Sequence, residues 1–174
     1  MLRRSKSEKP GDPPPELPRR VLVVDDDDDA SELITRILAR AGYEVTRAVD
    51  QNQALASIAE DPSRVGVVLV SFTASGSGGG VKLLDTIRSN ENAEVTEVRV
   101  VIVTDGGKNR MFCWQSGADG LLTRPYHADD MLAEIESARS RPPGEREVHR
   151  RRELERLGGV EGDQSPRPGS PFES

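Results

Sequence analysis

Cysteine occurs once, at Cys113, which rules out a disulfide framework and any zinc site built from cysteines. Histidine occurs twice, at His127 and His149, and neither has a second ligand at metal-binding spacing, so both read as solvent-facing. No apolar run approaches the ~20 residues that a membrane-spanning helix requires. The basic N-terminus has no hydrophobic segment behind it, so it does not read as a secretory signal, and the cytoplasm is the default location. Hydrophobic residues make up only 34% of the 174, and the shortage is uneven. Residues 1–20 hold six Lys/Arg, three acids and five prolines, with almost nothing to bury. Residues 141–174 hold seven basic and seven acidic side chains with five more prolines. Positive charge is scarce where a fold can form: residues 21–140 carry eleven Lys/Arg against twenty Asp/Glu. An acidic core argues against nucleic-acid binding, which needs clustered Lys/Arg to neutralise phosphates.

These contrasts divide the chain into a disordered, Pro-rich basic arm (1–19), a folded unit (20–140) and a charged, largely disordered tail (141–174). Within the tail, "EREVHRRRELERLGG" has the pattern of a short, solvated helix. About 120 residues suffice for one hydrophobic core. Val21–Val24 is a short continuous apolar run, as in a strand buried on both faces. Leu33, Ile34, Ile37, Leu38 and Ala41 then fall on one helical stripe; Asp29 with Glu32 marks the helix start and Gly42 its stop. The alternation continues through "YEVTRAV", "QNQALASIAED", "RVGVVLVSF", "VKLLDTIRSN", "VRVVIVTD", "KNRMFCWQSGA", "GLLTR" and "ADDMLAEIESARS". Five strand–helix units at this spacing predict an α/β fold with a parallel sheet and right-handed crossovers. In such sheets chemistry gathers at the carboxyl ends of the strands, which here present Asp25/Asp26, Asp50, Ser71, Thr104 and Arg124.

Two adjacent acids after the first strand, a hydroxyl after the fourth and a cation before Pro125 after the fifth form an ordered set. With "VLVVDDD", "VVIVTD", "SGADGLLTRPY" and "VKLLDTIR" in sequence, residues 20–140 resemble the CheY-like receiver domain of bacterial two-component response regulators. The resemblance implies a flavodoxin-like (βα)5 three-layer sandwich with strand order 2-1-3-4-5. It also implies a histidine kinase, another regulator or an adaptor as partner. In that family an aspartate ending strand three accepts a phosphoryl group beside Mg²⁺, and a lysine ending strand five contacts it. By resemblance, Asp25 and Asp26 match the metal-binding acids, Thr73 would offer a metal-ligating carbonyl and Thr104 matches the switch hydroxyl.

Ser71 stands where the acceptor aspartate belongs, Arg124 replaces the lysine, and Leu121 replaces the usual aromatic. A serine without a neighbouring base is no substitute for a carboxylate that forms an acyl phosphate. Neither Asp85 nor Asp105 lies at the tip of strand three. Losing one carboxylate leaves Mg²⁺ weak or absent at Asp25 and Asp26, since it relies on hard anionic oxygens in near-octahedral geometry. Arg124, a planar fork suited to carboxylates, is expected to reach Asp25 or Asp26 directly. The expectation is a stand-alone, degenerate, phosphorylation-independent interaction module without enzymatic activity or required cofactor. Its candidate contact residues are Phe112, Trp114 and Tyr126, and homodimerisation would use the face of the fourth helix, fifth strand and fifth helix. Cys113 reads as a packed, inert thiol. The alternatives are a receiver regulated by a ligand or unconventional phosphorylation, and a small nucleotide- or phosphate-binding protein using the Gly-rich loop 76–80 as an anion cradle.

Overall fold

The computed structural model describes the backbone of residues 17–163 and the side chains of 17–159. The expected basic arm through residue 16 and the tail from 164 onward lie outside the described residues. Five strands, β1 (Arg20–Val24), β2 (Glu44–Ala48), β3 (Val67–Ser71), β4 (Val100–Asp105) and β5 (Gly120–Arg124), form one sheet in the order β2-β1-β3-β4-β5. Every pairing is parallel. The helices α1 (Asp28–Arg40), α2 (Gln51–Glu60), α3 (Gly79–Arg88), α4 (Arg110–Gln115) and α5 (Ala128–Ser140) connect and follow them. This is the expected three-layer α/β sandwich.

Strand alternation builds two cores from one sheet. Leu22, Val24, Val68, Val70, Val100 and Ile102 face α2, α3 and α4, packing with Ile58, Leu83, Leu84, Ile87 and Trp114. Val21, Val23, Val67, Leu69, Val101 and Val103 face α1 and α5, packing with Ile34, Leu38, Met131 and Ile135. Burial on both faces explains why these strands read as continuous Val/Leu/Ile runs rather than alternating ones. The start of α1 differs from expectation: Asp27, not Asp29, is the cap, its carboxylate accepting the Ala30 N–H at 3.1 Å. Leu33, expected inside, is 55% exposed.

The tail requires a larger correction. Residues Arg146–Asp163 form a further long helix, α6, of 18 residues, joined to α5 by a short link through Pro142 and Pro143. It is docked on the domain rather than free in solvent. Among its described side chains Arg146, His149, Arg150, Glu153, Leu154 and Leu157 are buried or half-buried, and their spacing makes one helical stripe. Leu154 and Leu157 pack against the core beside α4.

Candidate functional site

The strand register sets Asp25, just beyond β1, beside Ser71 at the end of β3, since Val24 pairs with Val70. Asp25 is 5% exposed, and its Oδ1 accepts the Asp27 N–H at 3.0 Å. Burial raises the Asp25 carboxyl above its ordinary value, against the opposing pull of the Asp27 N–H and Arg124. Ser71 is also buried, and its hydroxyl lies 3.2 Å from Thr73 Oγ1. The Thr73 carbonyl accepts the Gly76 N–H at 3.0 Å. Asp26 is exposed and ties the same loop through the Ser75 N–H, at 3.2 Å.

Across the sheet, Arg124 does reach Asp25, but at 3.7 Å, a charge contact beyond hydrogen-bond length. Its closer partner is Asp105, 3.2 Å from Nη1. The β4–β5 register sets Asp105 opposite Arg124, which explains that preference. Thr104 is buried and donates to the Gly106 carbonyl at 3.1 Å, with the Leu122 carbonyl 3.4 Å away. Leu121 packs partly buried on the α4 side, and its N–H donates to Glu134 at 2.8 Å. Pro125 follows Arg124 through a cis peptide and leads to half-buried Tyr126. Pro125 and Tyr126 line an open groove of about 440 Å³ with Leu33, Ile34 and Ile37 of α1.

The glycine segment has a packing reason. A Cβ on Gly80 would lie 2.6 Å from the Ser71 carbonyl oxygen, and one on Gly79 would collide with the Ala74 carbonyl. The N–H groups of Gly76, Gly79 and Gly80 are engaged by the carbonyls of Thr73, Gly76 and Phe72. They bind the loop to itself rather than facing outward as an anion cradle would.

Of the expected contact residues, Phe112 is 50% exposed, but Trp114 is 2% exposed and lies beneath α6. His149, expected in solvent, is half-buried and meets the Trp114 ring edge-to-face, with centroids 5.5 Å apart. Cys113 is fully buried, and burial pushes its thiol up to about 11, as expected for an inert packed side chain.

A second charged centre lies at the opposite end of the sheet, where β5 begins. Asp119, 2% exposed, accepts from Arg88 Nη2 at 2.8 Å, Arg146 Nε at 2.8 Å, Arg150 Nη2 at 3.2 Å and the Val100 N–H at 2.9 Å. Burial alone would raise its carboxyl, but the Arg146 bonds and the Arg146 and Arg88 charges outweigh that and hold it below the ordinary value. Arg146 also donates to Glu97 at 2.9 Å, and Arg150 donates to the Ala118 carbonyl at 2.8 Å. Sequence reading passed over this centre. Its one signal was an acid within "SGADG", ahead of an apolar strand, with arginines spaced by four at 146 and 150.

A family model for the response regulator receiver domain matches residues 21–136. The chain belongs to that family. Among solved structures, this receiver is similar to the receiver domain of NtrX from Brucella abortus, at 30% identity and TM-score 0.59, covering 68% of this chain and 96% of that one. It is also similar to a response regulator receiver domain protein from Clostridium thermocellum, at 25% identity and TM-score 0.61, over 68% and 92% of the two chains. A putative response regulator from Chloroflexus aurantiacus shares the fold, at 24% identity and TM-score 0.63 over 71% and 99%. None of the curated proteins compared matches the chain. The receiver is therefore a two-component signalling module, of a kind that interacts with kinases and regulators. Among the described residues, no helix is long and apolar enough to cross a membrane.

Proposed function

We propose that this receiver signals by binding other signalling proteins without being phosphorylated. The observation that carries this is Ser71: a buried hydroxyl, paired with Thr73, at the tip of β3. Acyl-phosphate formation needs a carboxylate as nucleophile, and a neutral hydroxyl would need a base to take its proton. Asp25 is the acid beside it, and it is already engaged by the Asp27 N–H and by Arg124.

The donor set also suits Mg²⁺ poorly. Two carboxylates remain, Asp26 is tied to Ser75, and a guanidinium stands 3.7 Å from Asp25. Mg²⁺ demands near-octahedral oxygen ligation and gives up its water reluctantly, so this cluster offers too little negative charge in return. Among the described residues, no group of three or more Asp, Glu, His or Cys side chains gathers as a metal site. Among the described residues, Phe112 and the groove between α1 and Tyr126 are open apolar features suited to partner contact.

Incubation with acetyl phosphate and Mg²⁺, followed by intact-mass measurement, tests the proposal. An unchanged mass is expected. An adduct that hydroxylamine removes would be an acyl phosphate and would end this reading.

A further inference from the structure

The centre around Asp119 has a property that the Asp25–Ser71 site lacks. It is shared between the receiver and α6, and the receiver's half is complete on its own. With α6 removed, Asp119 would still hold Arg88 at 2.8 Å and the Val100 N–H at 2.9 Å. No buried charge would be stranded, so the large penalty for an unpaired buried ion does not oppose opening. The half that leaves is Arg146, Arg150, Leu154 and Leu157, with His149 on Trp114. Among the described residues of this stripe two leucines supply the apolar burial, and the sequence of α6 is strongly charged, so its helicity depends on docking.

We propose that α4, Ala118 and Asp119 form a helix-docking site, filled in cis by α6. The partner that fits it in trans is a helix with two arginines one turn apart and a leucine one turn further on. The arginines recognise Asp119 and the Ala118 carbonyl, and the leucine covers the apolar surface beside Trp114. The link between α5 and α6 is short, so the cis helix competes at an effective concentration on the order of millimolar. A partner in trans therefore sees an affinity reduced by the fraction of molecules in which α6 has left. This inference stands apart from what Ser71 can accept, since the two sites lie at opposite ends of the sheet.

The test uses the full chain carrying R146A/R150A, and its readout is Trp114, the single tryptophan. The variant should show red-shifted emission and easier acrylamide quenching while far-UV circular dichroism still reports a folded domain. A labelled synthetic peptide of residues 144–159, followed by anisotropy, should bind the variant at least about tenfold more tightly than the wild-type chain. The same peptide with both arginines changed to alanine should bind neither. L154D/L157D opens the site from its apolar end and serves if the arginine variant fails to fold. The proposal is overturned if Trp114 stays shielded in the folded variants. It is also overturned if the peptide binds wild type and variant equally, or fails to bind a chain whose Trp114 is uncovered.

Discussion

Asp25 and Asp119 are both buried carboxylates facing arginine, at opposite ends of the same sheet, and they behave in opposite ways. Asp25 has one guanidinium at 3.7 Å, and burial wins, raising its carboxyl. Asp119 has three guanidiniums between 2.8 and 3.2 Å, and they win over burial. The difference lies in hydrogen-bond contact rather than in the residue types. A charge contact beyond bonding distance returns little of the desolvation cost, whereas direct charge-assisted bonds return much more. The Ser71 end leaves its buried acid poorly compensated, and the α6 end ties its acid into the packing of the fold.

Removing each acid should expose that contrast most strongly. Asp119→Ala takes the shared carboxylate from Arg88, Arg146 and Arg150 and leaves the buried Val100 N–H without its acceptor, and should cost about 3–5 kcal/mol in urea unfolding. Asp25→Asn relieves a poorly compensated charge and should stay within about 1 kcal/mol of wild type, on the stabilising side. Equal losses at the two positions would erase the distinction.

Acid should separate the ends next. Asp119 binds its proton more weakly in the fold than in the open chain, so its stabilisation is complete above the ordinary 3.8 and is lost as pH falls below it. Asp25 is shifted the other way, so its protonation favours the fold earlier in the descent, as pH falls through its raised value toward 3.8. Burial, then the Arg141 charge, lowers His149, so its contribution is present above 6.5 and fades as pH falls through its depressed value. Trp114 shielding should therefore weaken slightly below pH 6.5 and collapse below 3.8. His149→Asn should remove only the first stage.

The two ends were unequally legible in the sequence. The five strand–helix units and the Asp25, Ser71, Thr104 and Arg124 set follow from apolar runs and from what stands after each, whereas the strand order was implied by the resemblance to receivers. The α6 end escaped because hydrophobic periodicity cannot register a stripe built from Arg146, Arg150 and two leucines. Such a helix looks solvated until its carboxylate partner, Asp119, is known in space. At the other end, charge chemistry anticipated Arg124 against Asp25. It missed Asp105, whose position opposite Arg124 depends on the β4–β5 register. Trp114 read as a candidate contact residue because the tail helix read as solvated rather than docked over it.

Returning an acid to β3 makes the two ends more alike. Ser71→Asp buries a third carboxylate beside Asp25 and Asp26 and should destabilise the protein by about 1–2 kcal/mol, since the like charges share one site. Millimolar Mg²⁺ should recover that loss by supplying the missing counter-charge, and acetyl phosphate should then add mass at residue 71. Trp114 emission should not change, because the α6 end takes no part. If Mg²⁺ restores nothing, Arg124 holds the pocket closed even with the acid in place.

The smallest effect is expected at Arg124. Its hydrogen bond to Asp105 joins side chains that are 30% and 62% exposed, and its contact with Asp25 is longer still. Exposed pairs contribute about 0.2–1 kcal/mol, so Arg124→Lys should shift stability by less than about 1 kcal/mol. The shorter ammonium cannot span both acids as the guanidinium fork does, so Asp25 should lose part of the charge that holds its proton affinity down. Its carboxyl should titrate at higher pH by NMR while the thermal midpoint barely moves. A midpoint loss as large as that of Asp119→Ala would mean that Arg124 supports its end of the sheet as firmly as Arg146 supports the other, and the contrast between the two acids would fail.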